Sequence, residues 1–320
     1  MIHLLMKENQ PVIAAMGLLI AFACTCYFMS TCSGLLPRDA GREFAHDGKL
    51  SAGKPRGAGI IFILVFAIAT FIFAPVNLEI VIYLILIAAE MLTGYLDDAA
   101  KHPWGELKKG VLDLVIAVIL AVTYLNFNTS TIEIATLGIR IDLPPLVFGL
   151  LTVILVWGAI NVTNCSDGVD GLSGTLAIVT LSTFYVIDNI KGNQDEFTFL
   201  ILMFSICILG YLWYNATPSR LLMGDAGSRA MGIFISIAAL KSGSPVLYIP
   251  AAVVFILDGG LGLLKIALIR FCHIHILKNV RTPLHDHVRK TMGWSNTQTV
   301  CRFAIIQIVV SVSVICMLLL

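Results

Sequence analysis

The sequence predicts an all-α, polytopic integral membrane protein with about ten transmembrane helices. Hydrophobic residues make up 58% of the 320 residues and charged residues only 13%, against about a quarter charged in ordinary globular domains. The mean hydropathy is +0.90. Ten segments approach the roughly twenty mostly apolar residues that a membrane-spanning helix needs. These observations exclude a soluble enzyme, a secreted disulfide-stabilised domain and a disordered protein.

The ten candidate spans follow one another with polar loops between them. The segment before the first span has Lys7 as its only positive charge and no small-residue cleavage site, so we expect a retained helix and not a signal peptide. No linker suggests a second domain, and residues 1–320 are expected to form a single transmembrane domain. The spans are approximately 11–31, 58–74, 78–96, 110–127, 144–161, 172–188, 197–214, 229–241, 246–270 and 303–320.

Basic residues separate between the two sides of this topology. Alternating spans place one set of loops on the same side: 32–57, 97–109, 162–171, 215–228 and 271–302. Of the 21 Lys and Arg, Lys265 lies in the ninth span and few fall on the opposite side: Lys7, Arg140, Lys191 and Lys241. Because basic loops are retained in the cytoplasm, these loops are predicted to be cytoplasmic and both termini to face outward.

The same loops carry most of the groups capable of chemistry. They contain every histidine except His3, whereas the predicted bilayer midplane is nearly free of charged residues, the exceptions being Glu90, Asp258 and Lys265. A secondary transporter would place ionisable groups near the bilayer midplane, and it stays an alternative in which those three residues govern activity. The distribution favours an enzyme at the inner membrane surface.

Two adjacent carboxylates, Asp97 and Asp98, stand where the third apolar run ends. Negative charges at the edge of lipid are costly unless a cation compensates them, and a divalent metal with phosphate ligands would do so. The alternative is a solvated helix end, although the helix dipole disfavours acids at that end. We therefore take both residues as functional candidates.

Two further loops combine carboxylates and amides with glycine. Glycine lets the backbone turn tightly around a ligand, and oxygen-only donors suit Mg²⁺. Ordinary Gly/Asp turns and a helix cap are the alternatives. The residues concerned are Asn161, Asn164, Asp167, Gly168 and Asp170 in one loop, and Asn215, Gly224 and Asp225 in the other.

The last cytoplasmic loop contains His285, His287 and Arg281. Zinc is an alternative for the histidines, but the nearby Cys272 is isolated and forms no ligand pattern. Cationic side chains opposite a carboxylate and metal cluster favour a clamp on pyrophosphate oxygens. Three lysines after the Asp pair add to this clamp: Lys101, Lys108 and Lys109. Other cations are interpreted as orientation signals: Lys278, Arg289, Lys290 and Arg302.

Four blocks together resemble the polyprenyl-phosphate N-acetylhexosamine-1-phosphate transferase superfamily, most closely its phospho-N-acetylmuramoyl-pentapeptide transferase branch. Their order and their placement between spans also match, so the resemblance covers nearly the whole chain. The blocks are Leu96-Asp97-Asp98 with Lys101; residues 161–172; Tyr214-Asn215-Ala216 with residues 223–228; and Pro283-Leu284-His285-Asp286-His287 with Gly293-Trp294-Ser295 and Arg302-Phe303.

The resemblance implies a reaction in peptidoglycan biosynthesis at the cytoplasmic face of the bacterial cell membrane. Phospho-MurNAc-pentapeptide passes from UDP-MurNAc-pentapeptide to undecaprenyl phosphate, giving lipid I and UMP, with Mg²⁺ as cofactor. The implied partners are these two substrates and membrane lipid, with no nucleic acid. The sequence leaves open whether the chain forms a homodimer.

Roles for single residues follow from the matching positions together with the chemistry above. Asp225 and Asn164 are expected to bind the metal. The expected catalytic residues are Asp97, Asp98, Asp225, His285 and His287. The expected substrate-binding residues are Lys101, Lys109, Asn164, Asp167, Gly168, Asp170, Asn215 and Arg281.

Three segments depart from the family pattern. Asp286 interrupts a run of three histidines, and Leu222 replaces an aromatic residue often found before Met-Gly-Asp. Residues 53–59 read Gly-Lys-Pro-Arg-Gly-Ala-Gly, where the branch usually shows Gly-Thr-Pro-Thr-Met-Gly-Gly. This version is more like relatives that transfer N-acetylglucosamine phosphate, so UDP-N-acetylglucosamine or another UDP-N-acetylhexosamine is the alternative substrate. The block His285-Asp286-His287 with Gly-Trp-Ser favours the muramoyl branch.

Overall fold

The computed structural model describes residues 10–41, 51–100, 102–192 and 196–320, and these are mostly helical. The helical, multi-pass prediction is confirmed. The helices are α1 (Gln10–Cys32), α2 (Gly59–Phe73), α3 (Leu78–Asp98), α4 (Glu106–Phe127), α5 (Pro145–Cys165), α6 (Leu172–Lys191), α7 (Glu196–Asn215), α8 (Gly224–Lys241), α9 (Tyr248–Ala251), α10 (Val253–Phe255), α11 (Leu261–Cys272), α12 (Leu284–Lys290) and α13 (Asn296–Leu319).

The predicted count of ten spans is not confirmed. Seven helices in the described part of the chain are long and apolar enough to cross a membrane, or eight if the bent pair Pro245–Ala251 and Val253–Cys272 is one span. Helix α2 falls short because it has only 15 residues. Helix α8 carries Asp225 and Arg229 in its first two turns and is enclosed by other helices, so it does not need a lipid-compatible surface.

Helix α8 is the centre of the bundle. Every residue from Gly224 to Leu240 is buried, and the helix packs most extensively against α3 and α5. A side chain could not be accommodated at Gly94 of α3, because its Cβ would lie 2.4 Å from the carbonyl carbon of Asp225. Small residues allow this close approach between membrane helices. The approach brings the end of α3 against the beginning of α8.

Three charged residues form an enclosed cluster inside the bundle, which we call the buried triad: Arg229, Glu90 and Asp113. Arg229 Nε donates to Glu90 Oε1 at 2.8 Å, and its Nη2 donates to Asp113. The three residues are 3%, 0% and 1% exposed. Buried charges need such pairing. By the predicted spans, Arg229 is one of the basic residues at the cytoplasmic helix ends; the structure instead buries it against Glu90 and Asp113.

The ninth predicted span is broken into two pieces. Pro245–Ala251 and Val253–Cys272 meet at 69°, and the turn Ile256–Gly260 just after the break is a π-helix. A single π-helical turn is a frequent feature of functional sites in helices. Here it presents Asp258 to the last loop.

A short hairpin lies at the far end of α8, where the sequence pattern predicts only a loop. Strands β1 (Thr131–Ile134) and β2 (Ile139–Asp142) pair antiparallel, with Thr131 opposite Asp142. The backbone N–H of Glu133 donates to the carbonyl of Gly243 at 3.0 Å. The hairpin is therefore attached to the C-terminal end of α8, away from the Asp225 end.

Candidate active site

The beginning of α8 is held against the loop that precedes α2. The backbone N–H groups of Ala58 and Gly59 donate to the carbonyls of Leu222 and Met223, both at 3.0 Å, and Leu222 N–H donates to Pro55 at 2.8 Å. These bonds place the side chain of the intervening Arg56 beside the first turn of α8.

Asp225 lies in that first turn and receives a cation on each oxygen. Arg56 Nη2 donates to Oδ1 at 3.2 Å and Lys109 Nζ to Oδ2 at 3.1 Å. The preceding Gly224 has φ +67°, and a Cβ there would lie 2.1 Å from Asp98 Oδ2. Glycine is thus required on two grounds, the left-handed backbone and the contact with a carboxylate.

Asp97 and Asp98 end α3 and point to different partners. Asp97 accepts from Lys109 Nζ at 2.6 Å and from the backbone N–H of Trp104 at 2.6 Å. Asp98 accepts from Arg56 Nε at 2.7 Å and from the N–H of Ala226 at 3.2 Å. Both carboxylates are therefore linked to Asp225 through a shared cation.

A third carboxylate, Asp39, completes the surroundings of Arg56 by accepting from its Nη1 at 3.0 Å. Burial alone would lower the pKa of Arg56, but the charges of Asp98 and Asp225 raise it above its ordinary value. We call the following residues the cavity cluster: Asp39, Arg56, Asp97, Asp98, Lys109 and Asp225. It contains four carboxylates and two cations.

The loop between α5 and α6 approaches the cavity cluster from the other side. Asn164 Nδ2 donates to Ser228 Oγ of α8 at 3.0 Å. Asp170 accepts from the backbone N–H of Ser219 at 3.0 Å and lies 4.0 Å from Lys54 Nζ. The loop is consequently attached to α8 at its start and to the loop before α8 at its end.

Asn215 joins the same two loops. Its Oδ1 accepts from the N–H of Gly171 at 2.8 Å, and its Nδ2 donates to the carbonyl of Leu221 at 2.9 Å. The side chain is buried at the base of the cavity. Both ends of this amide are used to hold loops, so its observed contacts are those of a positioning residue.

His285 is held by a buried carboxylate. Asp258 Oδ1 accepts from the backbone N–H of His285 at 2.7 Å, and the imidazole Nδ1 lies 2.9 Å from Asp258 Oδ2. The opposite nitrogen faces Gly168, where a Cβ would lie 2.2 Å from Nε2. Asp258 is therefore a partner of the last loop. Lys265 likewise donates to backbone carbonyls beside that loop, those of Leu277 and Val280.

Arg289 connects the last loop to the same glycine. It is 4% exposed, and its Nη2 donates to Gly168 O at 3.3 Å and to Asp286 Oδ1 at 2.8 Å. Burial raises the pKa of Asp286, but Lys290, His285 and Arg289 together lower it below its ordinary value. Arg289, interpreted from the sequence as an orientation signal, thus also has specific contacts within the fold.

Between these loops lies an open cavity of about 210 Å³. It is bordered by residues of the cavity cluster and of the two glycine-containing loops, and its lining combines carboxylates, cations and amides. Such a lining suits a polar, multiply charged ligand. The described lining is Asp39, Ser51, Arg56, Lys109, Asn164, Asp167, Gly168, Val169, Asp170, Asn215, Leu222, Gly224 and Asp225.

Most predicted site residues meet at or next to this cavity, and some do not. Asp97 and Asp98 do not line the cavity but bond to Lys109 and Arg56, which do. His285 lies behind Gly168. Arg281 and His287 are absent from the described lining; the N–H of Arg281 donates to His287 Nδ1 at 3.3 Å. Lys101 falls outside the described residues.

Arg56, Asp39, Asp258 and Arg289 were not among the predicted site residues. The glycines at positions 53, 57 and 59 are a signal of close backbone approach that could have pointed to Arg56, but its partners are far away in sequence. Asp258 was noticed as an intramembrane charge, and only the π-helical turn shows that it meets His285.

Seven helices in the described part of the chain are apolar and long enough to cross a membrane, and an open, charged cavity lies at one end of the central helix α8. The protein is therefore a multi-pass membrane protein with a polar site at the helix ends. The chain belongs to glycosyl transferase family 4, whose sequence profile matches residues 80–243. This range runs from α3 to α8 and includes Asp97, Asp98 and Asp225. Arg56 and His285 lie outside it.

Several relatives carry the name phospho-N-acetylmuramoyl-pentapeptide-transferase. The protein of Treponema pallidum (strain Nichols) is 38% identical over 318 residues, which cover 94% of this chain and 88% of the relative. That of Symbiobacterium thermophilum is 30% identical and covers 82% of this chain and 81% of the relative. That of Bacillus subtilis (strain 168) is 29% identical, covering 79% and 80%.

Proposed function

We propose that this chain is a phospho-N-acetylmuramoyl-pentapeptide-transferase made of one transmembrane domain. It transfers phospho-MurNAc-pentapeptide from UDP-MurNAc-pentapeptide to undecaprenyl phosphate, and the products are lipid I and UMP. An oxygen of the lipid phosphate forms a bond to the β-phosphorus of the nucleotide, and the bond from that phosphorus to the bridging oxygen breaks. The names of the relatives over nearly the full chain support this activity.

The cavity cluster is the observation that carries the proposal. Transfer between two phosphates requires that negative charge be neutralised and that two anions be aligned, more than it requires a strong acid or base. Asp225 lies at the cavity between Arg56 and Lys109, and each cation is held by a further carboxylate. The cluster therefore presents two paired cations, Arg56 and Lys109, to a ligand in the cavity.

The donors present fit Mg²⁺ that shares substrate oxygens. The described residues hold no group of three or more His, Cys, Asp or Glu placed around a metal. Asp225 and Asn164 both line the cavity with oxygen donors, and Mg²⁺ usually takes one or two carboxylates together with waters and phosphates. Four carboxylates against two cations also leave negative charge for a divalent cation to balance. We assign Asp225 and Asn164 as its ligands; bound there, Mg²⁺ would supply positive charge that stabilises the phosphoryl group during transfer.

The protein's own side chains then have separate tasks. Asp97 and Asp98 hold Lys109 and Arg56 in place, and Lys109 binds phosphate oxygens. Asp167, Gly168 and Asp170 border the space for the nucleotide. His285, oriented by Asp258, lies behind Gly168 and supports the segment that borders the phosphate site. Lys101, Arg281 and His287 are further candidates for contact with the substrates.

We infer that the cavity faces the cytoplasm. The loops that form it belong to the side on which most Lys and Arg lie, and basic loops are retained in the cytoplasm. A nucleotide substrate would then enter from the cytoplasm while undecaprenyl phosphate approaches from the inner leaflet.

The test is UMP release by the purified protein with undecaprenyl phosphate, Mg²⁺ and either UDP-MurNAc-pentapeptide or UDP-N-acetylglucosamine. We expect turnover with the muramoyl nucleotide and formation of lipid I. Asp225→Asn should lower this turnover at least about a hundredfold, the typical loss of one electrostatic group in an active site. Absence of turnover with the muramoyl nucleotide rejects the proposal. Turnover with UDP-N-acetylglucosamine alone establishes the alternative that the Lys54-Pro55-Arg56 segment suggested.

A further inference from the structure

Arg56 occupies a singular position among the cations of the site. Its guanidinium bonds carboxylates from three separate segments, through Nε to Asp98, Nη1 to Asp39 and Nη2 to Asp225. Only 18% of the side chain is exposed, and it still lines the cavity. The Arg56 side chain is therefore held in place by carboxylates and can also contact a ligand in the cavity.

The three contacts are not equivalent. Nε–Asp98 at 2.7 Å and Nη1–Asp39 at 3.0 Å are the shorter ones, and the contact to Asp225 at 3.2 Å is the longest. Asp98 and Asp39 are also held independently, by the N–H groups of Ala226 and Gly41. Arg56 can therefore release Asp225 while its other two bonds keep it in the site.

The backbone around Arg56 is held by hydrogen bonds, whereas its side chain can exchange partners. Arg56 N–H donates to Pro37 at 2.9 Å, and the neighbouring residues pair with the segment before α8. A guanidinium has five N–H donors, and three are used on carboxylates of the described residues. Within the described part of the chain the other two donors have no hydrogen-bond partner, and phosphate oxygens match the guanidinium fork in geometry.

We propose that Arg56 is a resident counter-cation of Asp225 that competes with the divalent cation for this carboxylate. This inference rests on the proposed function, in which Asp225 is a metal ligand. Without substrate, Arg56 neutralises Asp225. When Mg²⁺ and phosphate enter together, Arg56 leaves Asp225 for the phosphate, and the metal takes its place. Arg56 is thus a positioning residue in the free protein and a phosphate ligand in the complex.

The test is direct binding of Mn²⁺ to the purified full-length protein in detergent, without nucleotide or lipid, followed by the electron paramagnetic resonance signal of free Mn²⁺. Removing a positive charge a few ångströms from the site should strengthen metal binding. Arg56→Gln is expected to lower the Kd for Mn²⁺ about tenfold. Arg56→Lys, which keeps a charge but cannot bridge three carboxylates, is expected to give an intermediate Kd.

Arg38→Gln is the matched control, since it removes one positive charge from the same loop. Arg38 contacts the carbonyl of Gly53 at 3.3 Å and none of the carboxylates of the cavity cluster, so its Mn²⁺ Kd should stay at the wild-type value. In the Asp225→Asn background, Arg56→Gln should no longer change the Kd.

Two results would overturn the inference. One is an unchanged or weaker Mn²⁺ affinity in both Arg56 variants, with Arg56→Lys deciding if Arg56→Gln fails to fold. The other is an equal gain of affinity in Arg38→Gln, which would reveal a general charge effect. Neither readout uses the sugar nucleotide, so failure here is distinguishable from failure of the proposed transferase activity.

Discussion

Two ionic clusters lie one turn apart on α8, and they differ in contact with the cavity. The buried triad around Arg229 is at most 3% exposed and has carboxylates from α3 and α4 as partners. The cavity cluster around Asp225 is open on one side, and its side chains reach up to 25% exposure at Lys109. The same residue types are therefore sealed at one level of the bundle and accessible at the next.

The difference indicates what each cluster does. A sealed charge cannot exchange its partners for water or ligand, so its removal affects folding. An accessible charge can exchange partners, so its removal affects binding and turnover more than stability. Contact with the cavity therefore decides whether a charged cluster stabilises the fold or takes part in binding and turnover.

The largest expected effect is on the buried triad. Arg229→Met leaves Glu90 and Asp113 without their cation and should destabilise the protein by about 3–5 kcal/mol. Thermal unfolding in detergent measures this loss. Arg270→Met, at an exposed arginine, is the control and should change little. The combination of Arg229→Met with Glu90→Gln and Asp113→Asn should recover stability; normal stability of Arg229→Met alone would show that the triad is dispensable.

The cavity cluster should show the opposite pattern. Asp97→Asn and Asp98→Asn should each lower UMP release by about a hundredfold, because Lys109 and Arg56 lose the carboxylates that orient them. The yield of folded protein should change far less. Asp142→Asn in the hairpin is the matched control and should retain turnover. If either variant at Asp97 or Asp98 kept a near-native rate, its assignment to the active site would be withdrawn.

A smaller effect is expected where the last loop meets Gly168. Gly168→Ala places a methyl group against the His285 ring, which Asp258 prevents from moving freely. Overpacking of this kind costs about 1–3 kcal/mol, and we expect a higher KM for the nucleotide as the loop shifts. Gly158→Ala, in open space on α5, should not destabilise. Unchanged kinetics and stability in Gly168→Ala would separate His285 from the site.

The smallest effect concerns pH. The pKa of Asp286 is lowered in the folded protein, so its ion pairs stabilise the fold above the unfolded pKa, about 3.9, and this contribution is lost as pH falls through the lower folded value. Asp286→Asn should therefore be slightly less stable than wild type at neutral pH, by less than about 1 kcal/mol because solvent screens the pair. The gap between the two unfolding temperatures should begin to narrow as pH falls below about 4 and should close only below the folded pKa of Asp286, which lies lower; a gap that persists at that low pH would point to packing.

The site was predicted in part because its residues are unusual for their surroundings. Asp97, Asp98 and Asp225 are carboxylates at the ends of apolar runs, and such placement is recognisable without a structure. Asn215 was predicted as a substrate ligand, but both ends of its amide hold loops. Arg281 and His287 were grouped with His285 because they are near in sequence, yet of these three only His285 lies against Gly168. Proximity along a loop does not determine the direction of side chains.

The membrane class, the helical fold and the chemical type of the site were determined by the sequence alone, because composition and apolar run length report directly on lipid as solvent. Which cation meets which carboxylate was decided only by tertiary structure. Arg56 and Asp225 are 169 positions apart, and they meet because glycines let α3, α8 and the first loop pack backbone against backbone. Contacts between residues so far apart leave no pattern in a single sequence, because the partners come from several separate segments of the chain.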